Sequence, residues 1–342
     1  MTNILLYFIT FLTILTLSCI CVELYRRWSL RRGILDHPNE RSSHETPTPR
    51  GAGLVIFIVS LSAYIGFGLY GLYGLYGLSW GYICSAVVLA VVSWVDDLVS
   101  LSFINRMIAH SAAITLLVAD VGYFDSITLP YWGNLDLGAF GLIITFLWIF
   151  GFLNAFNFMD GIDGIAGSQA FAAAVGWLIS GLIVGNTFFL LYGVVLAASV
   201  LGFLIFNWHP ARIFMGDVGS CFLGFTLAAM PLLSSQKERP QLFFIAVIFV
   251  WPFVFDVIFT FIRRIFLKHR VWEPHREHIY QRLVISGSKH SKIALLYASL
   301  ALAGVLCGIL YLTFNGIYSS LVVFYIIASA ILLTVSLLRT KV

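Results

Sequence analysis

Eleven apolar stretches, all but the short fourth close to the length of a membrane span, set the terms on which this chain can fold. A helix needs about 20 residues to cross the hydrocarbon core, and in lipid only helices and closed barrels satisfy every backbone polar group. The stretches fall near 3–22, 52–72, 79–95, 107–120, 138–158, 166–184, 187–207, 218–234, 241–262, 292–313 and 317–338. Charged residues make up 11% of the 342, whereas soluble domains carry about 25%. The expected fold class is an all-α integral membrane protein of about eleven transmembrane helices, with residues 1–342 as one polytopic domain.

Charge sets the orientation. With the N-terminus outside, eighteen of the 20 Lys and Arg fall on inner segments or at an inner span end, leaving only Lys237 and Arg239 outside. That asymmetry is the positive-inside rule. No Lys or Arg precedes the first apolar run, and the cluster Arg26, Arg27, Arg31 and Arg32 follows it, so it reads as a retained span rather than a signal peptide. The five cysteines lie in or beside apolar segments and read as small buried hydrophobes. On the outer side, Asp120, Asp125 and Asp136 flank Pro130-Tyr-Trp-Gly133, which suggests a short hairpin or re-entrant element. The Gly-Leu-Tyr triplets of 68–78 read as a span end and a short loop.

The inner side carries the chemistry. Asn154-Ala-Phe-Asn157-Phe-Met-Asp160-Gly-Ile-Asp163-Gly-Ile-Ala-Gly167 puts carboxamides, carboxylates and glycines at the end of an apolar run. Residues three apart lie on neighbouring positions of a helical face, and the pattern suits a metal or phosphate group. A calcium loop is excluded, because Ile165 and Phe171 stand where its Gly and Glu belong. The adjacent Asp96 and Asp97 repel unless a cation or proton intervenes, though such a pair is also an ordinary solvated helix end. In Phe206-Asn207-Trp-His209-Pro210-Ala-Arg212-Ile-Phe-Met-Gly216-Asp217-Val-Gly219-Ser220, the proline ends one span and the glycines open the next. Free backbone N–H groups there favour anions, and Asp217 could equally serve as an N-cap.

The last inner loop, Arg263 to Lys292, contains His275-Arg276-Glu277-His278-Ile-Tyr280-Gln281-Arg282. Arginine forks and histidines suit diphosphate oxygens. A patch for anionic headgroups would explain Lys268 and Arg270 but not the histidines. The Pro/Gly-rich loop from Gly33 to Gly53, with Arg41, His44 and Arg50, reads as a lid or a connector, and Asp256 is an acid within the ninth apolar stretch. Acids and carboxamides suggest Mg²⁺, and Arg with His suggest phosphate, so the set points to phosphoryl transfer to or from a lipid.

Four of these motifs together resemble the polyprenyl-phosphate N-acetylhexosamine-1-phosphate transferases: Val95-Asp96-Asp97, Asn154-x-x-Asn157-x-x-Asp160-Gly-x-Asp163-Gly, the Phe206–Ser220 motif and His275-x-x-His278. The resemblance covers nearly the whole chain. It implies transfer of a HexNAc-1-phosphate from a UDP-sugar to undecaprenyl phosphate with release of UMP, aided by Mg²⁺, on cytoplasmic loops of the bacterial inner membrane. The N-terminus would be periplasmic and the C-terminus cytoplasmic. Carried over by position, Asn157 and Asp217 would hold Mg²⁺, and Asp160 and Asp163 would face the nucleotide. Asp96, with Asp97 beside it, would deprotonate or position the lipid phosphate. His275, Arg276 and His278 would hold the diphosphate, and Asn154 would support the loop. Asp256 would either contact substrate or pair with Arg263 or Arg264. The His275-Arg-Glu-His278 version resembles the O-antigen-initiating members more than the lipid I translocases. It favours UDP-GlcNAc, UDP-FucNAc or UDP-QuiNAc over UDP-MurNAc-pentapeptide. A homodimer stays open, and no nucleic-acid partner is expected. A secondary transporter would place its acids at the midplane of inverted repeats, which this sequence does not show.

Overall fold

The structure is a computed structural model that describes residues 2–38, 46–73, 77–270, 275–314 and 317–338. Arg41 and His44 of the first inner loop, the middle of the Gly-Leu-Tyr repeat and Pro274 lie outside the described residues. Helix α1 (Thr2–Arg32) runs well past its apolar stretch. Its basic cluster is therefore helical, with Glu23 pairing Arg26 at 2.8 Å and Arg27 at 2.6 Å along one face. The strands β1 (Leu35–Asp36) and β2 (Thr48–Pro49) pair antiparallel across the first inner loop and lead into α2 (Gly53–Leu69). Helices α3 (Trp80–Val99) and α4 (Phe103–Val121) follow, capped at their starts by Ser79 and Ser102.

Between α4 and the next helix, β3 (Ser126–Leu129) and β4 (Gly133–Asp136) form the hairpin that Pro130-Tyr-Trp-Gly133 suggested. Then come α5 (Phe140–Met159), α6 (Ile165–Val184), α7 (Thr187–Asn207) and α8 (Asp217–Ala229), the last extended by a 3-10 turn, Met230–Leu233. Helices α9 (Arg239–Phe249), α10 (Trp251–Phe266), α11 (Ile279–Ile285), α12 (His290–Thr313) and α13 (Ser319–Leu338) complete the chain.

The fold is thus helical with two small hairpins. Among the described residues, eight helices are long and apolar enough to cross a membrane, or nine if α9 and α10 form one broken span. Helix α2 and the Asp217–Leu233 segment are shorter. The ninth apolar stretch is not one straight helix, because α9 and α10 meet at 73°. Val250 leaves helical geometry at φ −117° and ψ 13°, and Pro252 offers no N–H across the break. Hydropathy runs unbroken through Val-Trp-Pro, which hides the bend.

Helix α7 forms the centre, with 83% of its apolar window buried, and α1 lies on its outside with 6% buried. Without a hydrophobic drive between helices in lipid, small residues and hydrogen bonds hold them. Ser18 donates to Ser199 O at 2.8 Å between α1 and α7, and Ser60 meets Ser199 at 2.9 Å. Gly53 and Gly219 let α2 and α8 touch backbone to backbone. Gly224 of α8 lies against Leu153 and Phe156 of α5. Those two contacts bring the first inner loop, Asn157 and Asp217 to one end of the bundle.

Candidate active site

Helix α5 stops at Asp160, and Gly164, at φ +76°, starts α6 from the left-handed region. Between them the chain passes beneath Tyr280, whose hydroxyl donates to Phe158 O at 2.9 Å. The Asn157 amide donates to Asp217 Oδ1 at 3.2 Å and to Ser220 Oγ at 2.8 Å, joining α5 to the start of α8. Burial pushes the Asp160 carboxyl up to about 7, and the charge of Asp217 adds to the effect. Two acids that resist ionising together, beside a carboxamide, form an oxygen donor set of the kind Mg²⁺ takes. Asn157 and Asp217, joined by that hydrogen bond, are donor types that fit the ion.

Asp96 and Asp97 part company. Asp96 accepts Leu101 N–H at 2.6 Å and Arg106 Nη1 at 3.2 Å, and faces the cavity described below. Asp97 instead pairs with Arg50 of the first inner loop. That loop's end is a fixed wall: Phe214 N–H donates to Pro49 O at 2.8 Å, and Gly53 N–H to Met215 O at 2.8 Å. Residues 48–53 are thus a structural connector to the Gly216-Asp217 turn.

Asp163 lies at a second cluster. Its Oδ2 is 2.6 Å from His209 Nδ1 and accepts Ala211 N–H at 3.1 Å, and His290 Nδ1 lies 3.5 Å from Oδ1. Burial alone would raise this carboxyl, but the two histidines and the amide outweigh it and hold it below its ordinary value. Among the described residues, Asp163, His209 and His290 are the group with ligand atoms close enough to share a metal. Its imidazoles suit transition metals better than Mg²⁺. Asn207 binds the two loops by accepting Gly164 N–H and donating to Ile213 O, both at 3.0 Å.

Asp256 is fully buried on α10 and accepts Ile279 N–H at 2.9 Å, Tyr280 N–H at 3.2 Å and the Tyr297 hydroxyl. His278 Nδ1 stands 3.2 Å from the same carboxylate. Asp256 therefore holds the N-terminus of α11 and the His278 ring, while Arg263 and Arg264 pair with Glu277. Of the alternatives left by the sequence, pairing with an arginine is not what the structure shows: Arg263 and Arg264 turn to Glu277 instead. The ring centroids of His275 and His278 are 5.0 Å apart. Burial, with smaller contributions from the charges of His278 and Arg264, lowers His275 to about 4, so it is neutral near pH 7.

A cavity of about 740 Å³ gathers Asp96, Asn154, Asn157, Asp217, His275 and His278. Asp97, Asp160, Asp163 and Arg276 do not line it. Two lining residues, Arg106 and His110, were not singled out from the sequence. The signal was present, since they are ionisable, four residues apart, and follow Asp96-Asp97 into an apolar stretch.

The family model for glycosyl transferase family 4 matches residues 79–235. A probable undecaprenyl-phosphate N-acetylglucosaminyl 1-phosphate transferase of Bacillus subtilis is 31% identical, over 82% of this chain and 78% of that protein. A decaprenyl-phosphate N-acetylglucosaminephosphotransferase of Mycobacterium tuberculosis is 29% identical, over 79% and 74%. A phospho-N-acetylmuramoyl-pentapeptide-transferase of Kosmotoga olearia is 27% identical, over 90% and 97%. The chain belongs to glycosyl transferase family 4.

Proposed function

We propose that this chain transfers a HexNAc-1-phosphate from a UDP-sugar to undecaprenyl phosphate, releasing UMP, as a first membrane step of O-antigen or a related envelope glycan. The relatives' names support the acceptor lipid and the sugar phosphate. The observation that carries the reading is the convergence of Asp96, Asn157, Asp217, His275 and His278 on one cavity at the end of the helical bundle.

A lipid phosphate is already an anionic nucleophile, so the site's task is alignment and charge shielding. The acceptor oxygen bonds to the β-phosphorus as the bond from that phosphorus to UMP breaks. Asn157 and Asp217 would hold Mg²⁺, whose charge would offset that of the diphosphate. His275 and His278, the latter fixed through Asp256, would donate to diphosphate oxygens. Asp163 and the Asn207-linked loops would face the nucleotide. The enzyme would lie in the bacterial inner membrane with these loops in the cytoplasm and the N-terminus in the periplasm, a reading its charge asymmetry supports.

Purified protein given Mg²⁺, undecaprenyl phosphate and a panel of UDP-sugars should release UMP with a HexNAc donor. The panel includes UDP-GlcNAc, UDP-FucNAc, UDP-QuiNAc and UDP-MurNAc-pentapeptide. Turnover with the pentapeptide donor alone would assign a lipid I translocase instead, and silence with every donor would end the transferase reading.

A further inference from the structure

The transfer reaction proposed above makes no use of His209 or His290. Both meet Asp163, and the three side chains come from three segments: the turn between α5 and α6, the loop before α8, and the first residue of α12. Their ligand atoms lie within 4.8 Å of one another. His290 Nδ1 is buried, makes no hydrogen bond and stands 3.5 Å from Asp163 Oδ1. That gap is too long for a good hydrogen bond. It is close to the spacing of two ligands on one ion, since ligands about 2.0–2.1 Å from a tetrahedral zinc stand about 3.3 Å apart. A buried nitrogen left unmet is costly, and a cation between it and the carboxylate removes the cost.

The donor set specifies the ion. Two imidazoles and one carboxylate suit a divalent transition ion, whereas Mg²⁺ prefers oxygen ligands and keeps several waters. Ala211 N–H, 3.1 Å from Asp163 Oδ2, holds the carboxylate in place as an outer partner orients a metal ligand. The side chains of Asp163 and His290 are 8% and 12% exposed, but that of His209 is 39% exposed, which gives an ion a path in and room for water beside it. None of the three lines the cavity that holds Asn157 and Asp217. We propose that Asp163, His209 and His290 form a binding site for a divalent transition ion of the zinc class, separate from the Mg²⁺ position and completed by a water ligand. Without metal, His209 Nδ1 lies 2.6 Å from Oδ2; on binding, that nitrogen gives up any proton it carries and offers its lone pair to the ion. The ion then ties three inner segments together, where Asn207 already bridges two of them.

The test reads metal binding and needs no substrate, so its outcome is independent of the transferase reading. Full-length protein in detergent, stripped with a chelator, is titrated with Co²⁺, whose visible absorption reports a four-coordinate site, and then with Zn²⁺. A single Co²⁺ should bind per chain and be displaced by Zn²⁺ but not by millimolar Mg²⁺. Zn²⁺ should also raise the melting temperature, because it binds the folded chain. His209→Ala and His290→Ala should each weaken Zn²⁺ binding about tenfold or more, since losing even an outer partner of a ligand costs about that much. His290→Gln fills similar space without an imidazole. It should melt like the metal-free wild type yet lose the Zn²⁺ shift, even if an alanine variant unfolds early. Asp217→Asn and His275→Ala should keep the Co²⁺ spectrum, because those residues line the cavity instead. No Co²⁺ band in the wild type, or a band that all three histidine-cluster variants retain, would overturn the site. Loss of the band in Asp217→Asn or His275→Ala, or displacement by Mg²⁺, would place the ion at the cavity and overturn it as well.

Discussion

Asp256 takes its role from the groups that donate to it: two backbone amides at the start of α11, the Tyr297 hydroxyl and Thr260 Oγ1. In Asp256→Asn one of those donors would meet an NH₂ group. The expected cost is about 1–3 kcal/mol for a buried donor left unmet. Thermal unfolding in detergent should fall, and kcat should fall with it as His278 loses its anchor. An unchanged melting temperature would show that α11 is held by other contacts. Asp163 carries a pH dependence. Its folded pKa lies below the ordinary value, so the stability from its ionised form is present above the unfolded pKa, near 3.9, and is lost as pH falls through the lower folded value. Asp163→Asn should therefore cost about 1.5–3 kcal/mol near neutral pH, the range for hydrogen bonds to a charged group. The gap from wild type should narrow in acid, and unfolding followed from pH 7 to pH 3 would show whether it does. Asp217→Asn should abolish UMP release at every Mg²⁺ concentration, and wild-type turnover would remove Asp217 from the metal position.

At the level of elements, most helices were legible because membrane-length apolar runs have one solution in lipid. The outer hairpin was legible from Pro130 and Gly133. What could not be read depends on partners far away in sequence. The break between α9 and α10 lies in residues as apolar as their neighbours. The division of labour between Asp96 and Asp97 is set by Arg106 and Arg50, on two other elements. The inner motifs meet at one cavity only in part, since Asp97, Asp160, Asp163 and Arg276 do not line it, and Asn207, His209 and His290 gained importance only once three loops met around Asp163. Close helix contact gives an element-scale prediction. A methyl at Gly53 would overlap the Gly219 backbone, which cannot swing away as a flexible side chain could. Gly53→Ala should displace α2 from α8 and shift the Gly216-Asp217 turn. The expected result is a loss of activity of about tenfold or more, because a misplacement near 1 Å at a reacting centre can cost about a hundredfold. Gly66→Ala, on the same helix, meets nothing within 4 Å and is the control expected to stay active. Equal behaviour of the two variants would remove the close contact as the cause.

The whole molecule is sorted by charge. Its inner end carries the motifs described above, and its outer end carries β3–β4, Asp120 and the Arg239 guanidinium buried near Ser234. If the inner loops face the cytoplasm, the exposed β4 strand must face the periplasm, since α4 and α5 lead to it from the opposite end of the bundle. Two introduced cysteines test this in intact cells with a charged maleimide, read above the labelling of the wild-type protein with its five native cysteines. Asp136→Cys, on β4, should be labelled at once. Ser286→Cys, exposed just after α11, should be labelled only after the membrane is permeabilised. Neither position touches the cavity, so both proteins should keep their activity and report on folded enzyme. Asp125→Asn, next to the same hairpin, should leave UMP release close to wild type, because Asp125 does not line the cavity. Labelling of Ser286→Cys in sealed cells would invert the molecule and place the phosphate-binding residues in the periplasm. A UDP-sugar made in the cytoplasm could not reach them there, so this one outcome would remove the topology and the proposed donor together.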